Sequence, residues 1–100
     1  GQVIKVEFEH DDGRFLYEVL GAGLSTYPDL RSGAARLREV NHTLPTAADR
    51  LHLVLSQPPA EAWAADAVHD VFGVHVLWRL PQGWGGQDTA TALGVDPSQA

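Results

Sequence analysis

The side chains in this sequence that could do chemistry are few, and their spacing decides what chemistry that would be. Five histidines are present, and His52, His69 and His75 fall in one stretch, RLHLVLSQPPAEAWAADAVHDVFGVHVLWRL, from Arg50 to Leu80. Folded as strand, helix and strand, that stretch would gather the three imidazoles, and Asp66 or Asp70 would add oxygen to a nitrogen set of the kind divalent metals accept. Their spacing matches no zinc signature, and His69 and Asp70, as neighbours on a helix, point to different sides. The ordinary reading, imidazoles at the surface or at the rim of a core, is preferred, and no metal ligand or cofactor is assigned. Nucleophilic catalysis has no better footing. The chain has no cysteine and no Gly-x-Ser-x-Gly elbow, and Ser25, Ser32 and Ser56 sit in no context that marks activation. Gly21 and Gly23 resemble two glycines of a phosphate loop, but the third is missing and LSTYPD follows, so they read as turn residues. No catalytic residue is assigned.

The elements that would position these groups follow from hydrophobic period. Ile4, Val6 and Phe8 alternate with Lys5, Glu7 and Glu9, which predicts a strand over Val3 to Glu9. Asp12 and Gly13 suit a tight turn into a partner strand, Arg14 to Leu20, with apolar groups on both faces. Leu24 to Tyr27 predicts a short third strand ending at Pro28. Asp29 is the expected N-cap of a first helix carrying Leu30, Ala34, Leu37 and Leu44 at helical spacing, which Pro45 ends. Leu51 to Leu55 reads as a covered strand. Ser56 or Gln57 is the expected cap of a second helix, with Pro58 and Pro59 in its first turn and Gly73 at its end. Val74 to Leu80 closes the series. A helix between two strands in so few residues implies that the strands are parallel.

Composition narrows the function classes. One hundred residues, 44% hydrophobic and 20% charged, describe one α+β domain, with residues 1–82 folded and 83–100 a glycine-rich, polar and largely flexible tail. A formal charge of -6 would repel a nucleic-acid backbone unless Arg31, Arg36 and Arg38 formed a local patch, so no nucleic acid partner is expected. No window approaches a membrane span, and the start has no signal-peptide pattern, so a cytoplasmic setting without membrane contact is expected. The opening at Gly1 suits a piece of a longer protein. Trp63 and Trp78 are expected in the core, and Trp84 is expected to be partly exposed.

The run VIKVEFEHDDGRFLYEVLGAGLSTYPDLRSGAARLREV resembles the N-terminal domain of HicB-type antitoxins, in which an acidic hairpin leads through a turn and short strand to a helix with Leu, Arg and Glu near its end, here Leu37, Arg38 and Glu39. The resemblance covers about the first 45 residues. It implies a reduced ribonuclease H-like fold that binds a partner toxin and is not an enzyme. Ribonuclease H-like nucleases hold two metals with carboxylates on the first strand, the first helix and the end of the fourth strand. Here Glu7, Glu9 and Glu39 are available, but the fourth strand ends in Leu55, Ser56 and Gln57.

The sequence therefore points to a single mixed sheet of order β-β-(β)-α-β-α-β with two helices packed on it, ribonuclease H-like or HicB-like. The expected function is a non-catalytic protein-interaction or regulatory module, with Tyr27, Arg36, Arg38 and Trp84 as partner-binding residues. Two alternatives come from other classes. One is a metal-dependent hydrolase or nuclease using Glu7, Glu39 and histidines. The other is a small-ligand domain with its site near Ser56 and Trp78, at the carboxyl ends of the parallel strands.

Overall fold

Among the described residues the alternating and helical periods of the sequence form seven elements. The computed structural model describes the backbone of residues 4–10 and, with side chains, residues 13–86. In chain order these are β1 (Ile4–His10), β2 (Gly13–Val19), α1 (Tyr27–Thr43), β3 (Arg50–Leu55), α2 (Ala64–Phe72), β4 (Val74–Leu80) and β5 (Gly83–Gly86). The fold is α+β, with one mixed sheet in which the strands lie side by side in the order β1-β2-β3-β4-β5. The outer pairs, β1 with β2 and β4 with β5, are antiparallel hairpins. The inner pairs, β2 with β3 and β3 with β4, are parallel and joined through α1 and α2.

Register explains how one strand serves two faces. Leu16, Leu51 and Val74 align across β2, β3 and β4, as do Glu18, Leu53 and Val76. The apolar members of these rows meet Leu30, Ala34 and Leu37 of α1 and Ala64, Ala65 and Val68 of α2 in the main core. The alternate residues point the other way. Tyr17, His52 and His75 form one row there, and Phe15, Tyr17 and Leu77 make a second buried cluster with Val54 packed on it. Because side chains alternate with period two, β3 needs apolar groups on both faces, and its sequence supplies them.

Glycine marks the closest approach of helix to sheet. A Cβ on Gly33 would lie 2.7 Å from Leu53 Cδ1 and 3.1 Å from Glu18 Oε2. Hence α1 accepts the entropy cost of a glycine in its interior, because its backbone lies against the sheet at that point. At the end of α2, Gly73 takes the left-handed conformation expected of it, with φ 68° and ψ 26°, and its N–H closes on the His69 carbonyl.

Four expectations are corrected. Leu24 to Tyr27 forms no strand: the segment turns, and Thr26 becomes the N-cap of α1. Asp29 is the third helical residue rather than the cap, its Oδ2 accepting from the Thr26 backbone N–H at 3.2 Å and the Thr26 hydroxyl at 2.8 Å. The second helix starts at Ala64, leaving Pro58 and Pro59 in the preceding loop. Finally, Gly83 to Gly86 is a sheet strand and not the beginning of a tail; the Trp78 indole lies over Gly85, where a Cβ would be 2.5 Å from its Nε1. The expected tail beyond it, 87–100, and the side chains of Glu7 and Glu9 lie outside the described residues.

Candidate functional site

The carboxyl ends of β2 and β3 lead into two loops that are bonded to each other. Gly23 N–H and the Ser56 hydroxyl both donate to Gln57 Oε1, at 3.2 and 2.8 Å. Ala60 N–H donates to the Ser25 carbonyl at 2.9 Å. The first N–H of α1, on Tyr27, donates to the Glu61 carboxylate at 2.9 and 3.3 Å, which places a negative charge at the positive end of that helix. These cross-links explain the late start of α2, since the residues after Pro59 are held by the β2–α1 loop.

They also set an aromatic pair on the surface. The Tyr27 and Trp63 rings are 5.1 Å apart and inclined at 44°. The Arg31 guanidinium lies 5.9 Å from the Tyr27 ring centre, within reach of a cation–π contact. Tyr27 packs partly against the core, whereas Trp63 is 56% exposed. The expectation that Trp63 is a core residue is thus corrected. It occupies the N-cap of α2, one residue ahead of the buried positions Ala64 and Ala65, and its ring packs on Tyr27. Trp78 does pack on the core, and Trp84 is 37% exposed.

The four residues expected to bind a partner do not converge. Tyr27 belongs to the aromatic pair. Arg36 reaches inward from α1, its Nε and Nη2 each 3.1 Å from Oε2 of Glu18, a carboxylate with 0% exposure. That pairing makes Arg36 a counter-ion of the sheet. Arg38 Nε donates to the Phe72 carbonyl at 2.6 Å, satisfying an end carbonyl of α2. Trp84 stands on β5, with the Arg79 guanidinium 5.9 Å from its ring centre.

The histidines of the strand, helix, strand unit do gather. His52 and His75 ring centres are 5.3 Å apart, and those of His75 and His69 are 5.0 Å apart. Tyr17 stacks on His52 at 5.0 Å, and burial raises its phenol above the ordinary value. Among the described residues no group of three or more His, Cys, Asp or Glu side chains could hold a metal ion. Glu39 is exposed on α1, and Glu18 is engaged by Arg36. Among the described residues no helix is long and apolar enough to cross a membrane.

Compared with protein-family models, with curated proteins and with solved structures, the chain matches none.

Proposed function

We propose that this domain is a non-catalytic protein-interaction module whose working surface is centred on Trp63 and Tyr27. The observation that carries the reading is a large aromatic side chain, 56% exposed, on a frame fixed by loop-to-loop hydrogen bonds. A side chain already held in place loses little freedom on docking, and tryptophan, tyrosine and arginine are the types that dominate binding energy when a partner covers them. Arg31 beside Tyr27 completes that set. The resemblance of the first part of the chain to HicB-type antitoxin domains, which bind a partner protein, supports the same class. The architecture after the hairpin has no short strand before the helix, so the resemblance informs the class and not the identity of the partner.

The test uses the domain and its Trp63→Ala and Trp84→Ala variants as baits in a lysate of the source cell, followed by calorimetry with the purified captured protein. A partner held by the wild type and by Trp84→Ala but lost by Trp63→Ala is expected. Trp63→Ala should keep its fold, with stability within about 1 kcal/mol of the wild type, because the side chain contributes one aromatic contact and little burial. Loss with Trp84→Ala alone would move the surface to β5. No partner for any of the three would overturn the reading.

A further inference from the structure

The outer surface of the α1/α2 pair is fixed at both ends by contacts already described, Tyr27 against Trp63 at one and Arg38 on the Phe72 carbonyl at the other. Between those ends, residues of α1 at helical spacing after Tyr27 share the flank that faces α2, and they include Arg31 and Arg38, both exposed. On α2, Trp63, Ala67 and Val71 follow one another at steps of four and form a row that flanks the buried stripe of Ala64, Ala65 and Val68. Val71 is 68% exposed, so the two most exposed large hydrophobic residues among those described stand in this one row, with the small Ala67 between them. Asp66 and Asp70 are exposed on its far side. The result is an exposed face with an apolar row, guanidinium groups on its α1 side and carboxylates on its α2 side.

We infer that this face takes an amphipathic helix of the partner protein, with an apolar stripe at steps of three and four, acidic residues along one flank and basic residues along the other. The inference rests on the interaction-module reading and specifies its partner. Charge complementarity selects the occupant. A uniformly basic segment would meet Arg31 and Arg38, and a uniformly acidic one would meet Asp66 and Asp70 in a chain of net charge -6. An extended segment is disfavoured as well, since it needs main-chain partners, and the backbones of α1 and α2 are bonded internally; a helix arrives with its own backbone satisfied.

A phage-displayed library of random peptides, about 16 residues long so that a helix can span α2, is selected on the domain and counter-selected on Trp63→Ala. The enriched sequences should carry the apolar helical repeat with opposite charges on its two flanks. The best of them should bind Trp63→Ala about thirtyfold more weakly and Arg31→Glu about fivefold more weakly, the latter effect shrinking at high salt. Trp63-dependent peptides that lack the repeat or the paired charges would overturn the helix assignment and leave the interaction module standing. So would a selection that enriches nothing while the cellular partner still requires Trp63. A selection and a lysate experiment that both show no dependence on Trp63 would end both readings.

Discussion

Gly33→Ala should destabilise the domain, against the ordinary effect of that change in a helix. In the interior of a helix, alanine for glycine normally stabilises by about 0.5 to 1 kcal/mol, because it restricts the unfolded chain. Here the new methyl group would stand 2.7 Å from Leu53 Cδ1, 3.1 Å from Glu18 Oε2 and 3.3 Å from Leu20 Cδ2. Carbon atoms rest at about 3.5 to 4.0 Å, so the shortest of these contacts is too close by roughly 1 Å. None of the three neighbours can retreat easily: Leu53 lies on the central strand and is fully buried, Leu20 is buried, and Glu18 is held by Arg36. Overpacking of this kind costs about 1 to 3 kcal/mol, leaving a net loss centred on about 1 kcal/mol after the propensity gain is subtracted. Urea unfolding followed by tryptophan fluorescence would measure it, with Ser32→Ala on the exposed side of α1 as a control that should be neutral or slightly stabilising. Leu53→Val removes the atom that is struck, so the double variant should be more stable than the sum of the two single losses by about 1 kcal/mol. A Gly33→Ala protein as stable as the wild type, or more so, would refute the close approach of α1 to the sheet.

Two further outcomes follow from buried polar groups. Arg36→Met removes the Arg36 counter-charge from the Glu18 carboxylate and should cost about 2 kcal/mol, less than a fully buried pair because the Arg36 side chain is 39% exposed; adding Glu18→Gln should recover part of the loss in a double-mutant cycle, and no recovery would show that the pair is not coupled. Burial raises the Tyr17 phenol, so the stability it contributes is fully present below about pH 10, the ordinary tyrosine value, and is lost as pH climbs through the raised value; Tyr17→Phe should flatten that alkaline fall in thermal unfolding, leaving the neutral range unaffected by ionisation.

What the sequence revealed and what it concealed divide along local and long-range causes. β3 and β4 were legible because Leu51, Leu53 and Leu55, and then Val74 and Val76, alternate over a length set by Pro and Gly. The parallel pairing followed from the helix between them. The start of α2 was hidden because two prolines ahead of a helical pattern look like its first turn, while the bonds that hold that segment open come from Ser25 and Tyr27, far away in sequence. The start of α1 was misjudged for a local reason: Thr26 and Asp29 have capping-box spacing, but Leu24 to Tyr27, between the glycines and Pro28, suggested a short strand. β5 was missed because three of its four residues are glycine, which reads as loop; only the Trp78 indole resting on Gly85 shows why a side chain is unwelcome there. Of the proposed surface, Tyr27 was singled out from the sequence, and Trp63 was not. Its position just before the first buried residue of α2 was the available signal, and it was masked once the helix was expected to begin earlier.

The sheet lists its strands in the order in which the chain is written. Among the described residues no strand must be inserted between two that are already paired, and the widest strand pairing is the one that joins Phe15 to Arg50. Growth can proceed vectorially, each hairpin or crossover laying its strand on the exposed border left by the one before, as during emergence from a ribosome. Such an order loses less loop entropy before contacts repay it than one that pairs the first strand with the last. Moving the termini by circular permutation within the α1–β3 connection would break this serial assembly and slow refolding, even where the finished structure is unchanged.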